Sequence, residues 1–139
     1  MLNATRIPIW TVDCPDQPGG LASKLEPLVR AGADLEFLLG RSLEVEPAKG
    51  VVFLGPLSVE AQIVAERYGF RESHSIHVVR LHGANEPGLA YRIARSLAAE
   101  QINVRAFSAM AIRNEFMCYI ACDTQADAEK AVQILNAPF

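Results

Sequence analysis

A four-residue motif occurs twice in this 139-residue chain, and the repeat limits the folds the chain can adopt. Asp16-Gln17-Pro18-Gly19 follows the apolar run 7–12, and Asn85-Glu86-Pro87-Gly88 follows the run 76–81. Pro18 and Pro87 are 69 positions apart. The same offset pairs Ile7 with Ile76, Trp10 with Val79, Val12 with Leu81, Leu28 with Leu97, and Asp34 with Asn103. The repeat predicts two domains of one type, residues 1–73 and 74–139.

Each copy shows the element order β-α-β-β-α-β. Short runs rich in β-branched residues predict strands, and each Pro-Gly pair is followed by apolar residues at helical spacing. The predicted strands are 7–12, 35–43, 51–54 and 71–75 in the first copy, and 76–81, 104–112 and 116–122 in the second. Ser58 and Thr124 are suitable N-caps for the closing helices. Pro27 predicts a kink or an early break in the first helix. The second copy ends where its last strand should begin.

This order predicts an α+β protein of two ferredoxin-like βαββαβ domains, forming an antiparallel sheet of about eight strands with helices on one face. Trp10 lies on the same side of its strand as Val12 and is predicted to be a core residue. In the segment 116–122 neither set of alternating side chains is polar, so we expect both faces of that strand to be covered. A homodimer, formed by sheet packing or by strand-edge pairing, would supply the second cover.

Composition excludes several classes of function. The net charge of -3 and pI of about 5.6 give no basic surface for nucleic acid. No apolar run approaches the ~20 residues that span a membrane, and the N-terminus lacks a secretory signal, so a cytoplasmic location is expected. Cys14, Cys118 and Cys122 are an odd number without a CxxC pair, which predicts neither a disulfide framework nor a zinc site. Cys118 and Cys122 are predicted to be small buried apolar residues.

The two motifs resemble a known pattern. Segments 12–21 and 81–89 resemble the strand-to-helix turn of ACT domains, in which Asp or Asn precedes an acidic or amide residue and Pro-Gly. Segments 31–35 and 100–104 are similar to the family's helix-to-strand turn, typically Gly-Ile-Asn-Ile. The resemblance covers nearly the whole chain. It implies a regulatory module of amino-acid metabolism that binds an amino acid or a related small molecule between two such domains.

A ligand site at these turns is physically reasonable, because the start of a helix offers unpaired N–H groups and a positive dipole end to a carboxylate. Asp16 or Asn85 would accept from a ligand ammonium, and backbone groups near Asp34 and Asn103 would complete the pocket from a neighbouring domain. The predicted ligand-binding residues are Asp16, Gln17, Pro18, Gly19, Gly20, Leu21, Asp34, Leu35, Asn85, Glu86, Pro87, Gly88, Leu89, Asn103 and Val104. A purely structural turn is the alternative. Since Gly20 is replaced by Leu89, the two sites need not be equivalent.

Three functions remain open from the sequence. The leading hypothesis is an amino-acid-responsive regulatory protein with no catalytic residues, cofactor or metal. The second is an interaction module or regulatory subunit that acts on a separately encoded enzyme. The third is a small ferredoxin-like enzyme. His74, His77 and His82 are the only histidines and have no cysteine or carboxylate at metal-ligand spacing.

Overall fold

The computed structural model describes residues 2–43 and 48–138, and within them the predicted fold class is confirmed. The described elements are β1 Asn3–Ile7, β2 Trp10–Pro15, α1 Gly20–Arg30, β3 Phe37–Ser42, β4 Lys49–Gly55, α2 Val59–Arg67, β5 Arg71–Glu72, β6 His77–Ala84, α3 Leu89–Ala99, β7 Val104–Ile112, β8 Glu115–Cys122 and α4 Gln125–Asn136. The eight described strands form two four-stranded antiparallel sheets, and not the single sheet of about eight strands that the sequence predicted. No helix in the described ranges is long and apolar enough to cross a membrane.

The chain divides into two compact units. The first unit is residues 8–73, and the second unit is residues 1–7 together with 74–139. Residues 1–7 were assigned to the first domain from the sequence, but they belong to the second unit because β1 pairs with β6. The predicted strand 7–12 is therefore divided: Pro8, which has no N–H for a sheet hydrogen bond, lies between β1 and β2.

The first unit has the strand order β3-β4-β2-β5. Its core contains Trp10 and Val12, as predicted, packed with Leu28 of α1 and with residues of β4 and α2. The early break expected at Pro27 does not occur, because α1 continues to Arg30. The strand expected at 71–75 is short, since β5 comprises Arg71 and Glu72 alone.

The second unit has the strand order β1-β6-β8-β7, so the N-terminal strand supplies the closing strand that the second copy lacks. Ala4 lies opposite Leu81 in this pairing. The side chain of Asn136 holds the outer edge of β1: the Ala4 N–H donates to Asn136 Oδ1 at 2.8 Å, and Asn136 Nδ2 donates to the Ala4 carbonyl at 3.0 Å. In the second unit, strand β1 and helix α4 therefore meet at the outer edge of the sheet.

The core of the second unit lies between its sheet and helices α3 and α4. It is formed by apolar side chains of β6, β8 and both helices, among them Leu81, Ile93, Leu97, Ile120 and Leu135. Cys118 and Cys122 are fully buried in this core, as predicted. Burial raises the pKa of the Cys118 thiol to about 12. Burial, and then the nearby Asp127 carboxylate, raise the pKa of Cys122.

Candidate ligand site

The two Pro-Gly motifs form the same turn. The Gly20 N–H donates to the Gln17 carbonyl at 3.0 Å, and the Leu89 N–H donates to the Glu86 carbonyl at 3.2 Å. Gly19 has φ 83° and ψ -8°, and Gly88 has φ 79° and ψ 7°. These angles match the third residue of a type II turn, near +80° and 0°, which follows a proline and favours glycine. In both copies, the conformation of the turn therefore explains why proline is followed by glycine.

The helices that these turns open lack side-chain caps. Gly19 and Gly88 are the N-cap residues of α1 and α3, and in the described structure no side chain caps either helix and neither first turn contains an acidic residue. The other two helices differ. Ser58 accepts from the Ala61 N–H at the start of α2, and Thr124 accepts from the Asp127 N–H at the start of α4. The positive ends of α1 and α3 are therefore free of the side-chain acceptors found on α2 and α4.

The start of α3 borders an open depression of about 360 Å³ in the second unit. One wall is the turn and first residues of α3, and the other is the edge strand β7 with Phe116 of β8. This volume lies in the usual range of ligand pockets, about 300–1,000 Å³. Five predicted site residues line it together: Asn85, Glu86, Pro87, Gly88 and Leu89.

The opposite wall was not predicted from the sequence. It is formed by Ala109, Met110, Ala111 and Phe116, while Ala90 and Tyr91 of α3 extend the wall beside the turn, where the sequence left a lining role for Tyr91 open. Ala109, Met110 and Ala111 come from β7, whose position beside the turn depends on its pairing with β8. No local sequence pattern marks these residues as neighbours of the turn.

A second hollow lies near the same turn. It has a volume of about 270 Å³ and is lined by Leu2, Ala84, Glu86, Leu89, Arg92, Ala137 and Pro138. Glu86 and Leu89 line both spaces. The Glu86 carboxylate forms an ion pair with Arg92, with Oε2 2.6 Å from Nη2. The Glu86 side chain is 62% exposed and that of Arg92 is 41% exposed, so the pair contributes at most about 1 kcal/mol to stability.

Asn103 and Val104 do not join this depression. They stand at the beginning of β7, and Val104 is six positions before Met110, or ~20 Å along a strand. The Asn103 amide Nδ2 donates to Asp123 Oδ2 at 3.1 Å, and Arg105 Nε lies 2.9 Å from Asp123 Oδ1. The hydrogen bond from Asn103, followed by the Arg105 guanidinium, lowers the pKa of Asp123. Within the second unit, the two predicted parts of the site are therefore separate.

The corresponding turn of the first unit differs in its packing. Asp16 and Gln17 are exposed, and the Asp16 N–H donates to the Ala48 carbonyl at 2.9 Å. Leu21 approaches β3 at Gly40, where an added Cβ would lie 4.0 Å from Leu21 Cδ1. Gly20 lies against the backbone of Pro15, whereas its counterpart Leu89 is a buried core residue. The two turns share a conformation but not their surroundings.

The remaining predicted residues of the first unit lie at the entry to β3. Asp34 is exposed, and Leu35 is partly buried against the core. As in the second unit, these residues precede an edge strand.

Two of the histidines make pairwise contacts with charged side chains. In residues 2–43 and 48–138, no group of three or more His, Cys, Asp or Glu side chains is placed to hold a metal ion. His82 Nε2 lies 3.8 Å from Glu115 Oε1, and His77 Nδ1 lies 3.4 Å from Arg6 Nη2. These are pairwise contacts at the ends and edges of strands.

No family model matches the sequence, and no curated protein is significantly similar to it. Several solved structures nevertheless share its fold. A protein from Bacteroides thetaiotaomicron has a TM-score of 0.75 at 16% identity, over 94% of this chain and 89% of that chain. The ligand-free regulatory subunit of aspartate kinase from Thermus thermophilus has a TM-score of 0.65 at 15% identity, over 97% and 94%. This is the ACT fold.

The same fold also occurs within a larger chain. Aspartate kinase from Clostridium acetobutylicum has a TM-score of 0.61 at 14% identity, over 97% of this chain and 33% of that enzyme. At these identities the likeness concerns the fold alone. The resemblance to ACT domains that the two turns predicted is confirmed at that level.

Proposed function

We propose that this chain is a regulatory protein that binds a free amino acid where α3 begins and catalyses no reaction itself. The observation that carries the proposal is the uncapped start of α3 beside the 360 Å³ depression. Backbone N–H groups of the first helical turn receive the ligand carboxylate, and the positive end of the helix dipole favours its charge. The Asn85 side chain, on the same turn, accepts from the ligand ammonium.

The regulatory role is supported by analogy of fold. The Thermus thermophilus protein of this fold is named a regulatory subunit, and the Clostridium acetobutylicum enzyme is described as allosteric. In a protein of this kind, ligand binding shifts an equilibrium between two states by its difference in affinity for them. The amino acid is therefore a signal rather than a substrate.

Amino-acid binding is tested by thermal unfolding with each of the twenty amino acids at millimolar concentration. A ligand of the folded state adds about 2.7 kcal/mol at a hundredfold excess over Kd, which raises the Tm by several degrees. The amide of the same amino acid, which lacks the carboxylate, should give a much smaller shift. If no amino acid raises the Tm, the proposal is wrong.

The chain offers a matched pair of variants for locating the site. Gly88→Ala and Gly19→Ala each place a side chain at positive φ, and an added Cβ would meet nothing within 4 Å at either position. Both variants should lose similar stability because the strain is the same. Gly88→Ala should in addition weaken ligand binding, whereas Gly19→Ala should not. Equal losses of affinity would argue against a site at α3.

We further propose that a second domain completes the site and that the chain forms a homodimer. Two edge strands are candidates for the interface: β3 has exposed Leu38 and Leu39, and β7 has exposed Met110 and Ile112. Unpaired strand edges with apolar side chains favour pairing with another chain. A second copy would bring backbone groups at Asp34, Leu35, Asn103 and Val104 towards a turn.

The dimer is tested by sedimentation equilibrium. Leu39→Lys and Ile112→Lys each place a charge on one of these two edges, and at least one should shift the protein towards the monomer. A wild-type chain that is monomeric at all concentrations would contradict the dimer proposal.

A second candidate function is a regulatory subunit that acts on a separately encoded enzyme. It is favoured by the match to 94% of the Thermus thermophilus regulatory subunit, which shows that this fold occurs as a separate chain of an enzyme. An amino-acid response of the isolated chain supports the first candidate. A response that requires an added enzyme supports the second.

A further inference from the structure

The depression beside α3 has a largely apolar lining. Among the described residues that line it, Glu86 is the only charged one, and Asn85 contributes an amide. The larger apolar surfaces come from Met110 and the ring of Tyr91, with Leu89 and Phe116 beneath them contributing little exposed area. Met110 and Tyr91 are largely exposed, while Leu89 and Phe116 are buried. A ligand bound here would contact mainly apolar atoms.

The Glu86 carboxylate already forms an ion pair within the protein. Its Oε2 is 2.6 Å from Nη2 of Arg92, and Arg92 does not line the depression. Arg95 is a nearby cation, but its guanidinium stacks over the Tyr91 ring at 5.9 Å from the centroid, and it too is absent from the lining. A charged ligand side chain in the depression would lose hydration without gaining an opposite charge.

We propose, on the basis of the proposed function, that the ligand is an amino acid with an uncharged apolar side chain, which packs against Met110, Phe116 and Tyr91. The ligand's ammonium and carboxylate are recognised at the turn, so the walls of the depression decide which amino acid binds. One methylene group in an apolar pocket changes affinity by about tenfold or more. Leucine, isoleucine, methionine and phenylalanine should therefore bind better than glycine and alanine.

The first experiment measures dissociation constants of the wild-type protein by isothermal titration calorimetry. The probes are leucine, isoleucine, methionine and phenylalanine on one side, and lysine, arginine, aspartate and glutamate on the other. We expect the first group to bind at least about tenfold more tightly. Tighter binding of a charged amino acid would overturn the ligand class and leave the proposed function intact. Failure of all twenty amino acids to bind would overturn both.

The second experiment substitutes Met110, which lines the depression. Met110→Lys places a cation in the depression and should weaken binding of the apolar amino acids at least about tenfold, while improving that of aspartate and glutamate. Met110→Leu keeps an apolar surface and should remain within a few-fold of the wild type. Ile63→Lys, on the exposed surface of α2, is the matched control and should not alter binding.

The oligomeric state of each variant is recorded beside its affinity, because β7 is also an edge strand. Normal binding of leucine by a Met110→Lys protein in its wild-type assembly state would contradict the inference. A loss of leucine binding shared equally by Ile63→Lys would contradict it as well, since Ile63 does not line the depression.

Discussion

Gly19 and Gly20 are neighbours, yet they are required for different physical reasons. Gly19 has φ 83°, where a side chain is strained, but an added Cβ would meet nothing within 4 Å. At Gly20, an added Cβ would lie 2.1 Å from the Pro15 carbonyl oxygen. The first requirement is conformational and the second is steric. A backbone atom cannot rotate away as a side chain can, so the second requirement is the stricter.

We therefore expect Gly20→Ala to be more destabilising than Gly19→Ala. The strain of a left-handed residue costs about 1 kcal/mol, whereas overpacking against backbone costs about 3 kcal/mol. Urea unfolding should show the difference in midpoint at an unchanged slope. Equal midpoints for the two variants would mean that the turn relaxes away from Pro15.

The ionisation of Asp123 makes the stability of the fold depend on pH. Its pKa is lowered first by the hydrogen bond from Asn103, so the ionised carboxylate stabilises the folded state above the ordinary pKa of aspartate. This contribution is lost as the pH falls below about 4, through the lowered pKa. Asn103→Ala should move the pKa of Asp123 up towards its ordinary value, as measured by NMR titration of the carboxyl carbon. An unchanged pKa would show that Arg105 alone is sufficient.

At the scale of elements, the ends of helices and the edges of strands carry the specific features of this chain. Helices α2 and α4 are stabilised at their first turns by Ser58 and Thr124. Helices α1 and α3 have glycine as the N-cap residue and no side-chain cap. Strand β1 is the reverse case, because its outer edge at Ala4 is occupied by Asn136 of α4. One edge of the second sheet is closed locally in this way.

Removing the Asn136 side chain should loosen β1. Asn136→Ala takes away two hydrogen bonds to the backbone of Ala4, and we expect a loss of about 1–2 kcal/mol. Amide hydrogen exchange in Asn3–Ile7 should accelerate more than exchange in β8. Gln133→Ala, at an exposed position of the same helix, is the control and should change neither quantity. Unaltered exchange in β1 would show that pairing with β6 holds the strand alone.

Many of the helix ends and strand positions could be predicted from the sequence, because their causes are local. The strand predicted at 104–112 coincides with β7, and Ser58 and Thr124 cap the helices as expected. The pairing of β1 with β6 was not predicted, since Ala4 and Leu81 are far apart in sequence and no local pattern marks their contact. Likewise the turn at Asn85 was predicted as a site, while Met110 required the tertiary arrangement.

At the scale of the molecule, each unit has its own core. Cys118 and Cys122 lie in the core of the second unit, and Cys14 lies half-buried at the margin of the first. Thiol reactivity depends on the thiolate, so burial and a pKa of about 12 make Cys118 inert near neutral pH. The state of the second unit can therefore be followed through its thiols.

We expect brief treatment of the native protein with iodoacetamide to modify Cys14 alone, and treatment in denaturant to modify all three cysteines. The mass of the intact protein gives the count directly. A Cys14→Ser variant should remain unmodified until the second unit opens. Rapid native labelling of two or three thiols in the wild type would contradict the burial of this core.

The position of β1 also sets an order of events on the ribosome. The first unit holds all of its described strands within residues 8–73, so its chain is complete before β6 is synthesised. Strand β1 of the second unit precedes the first unit in the chain, but its pairing partner β6 follows the first unit. Its sheet can form only after β6, β7 and β8 have been synthesised, because non-local pairing must wait for both partners. In the nascent chain, β1 will therefore stay without its pairing partner while the whole of the first unit is synthesised.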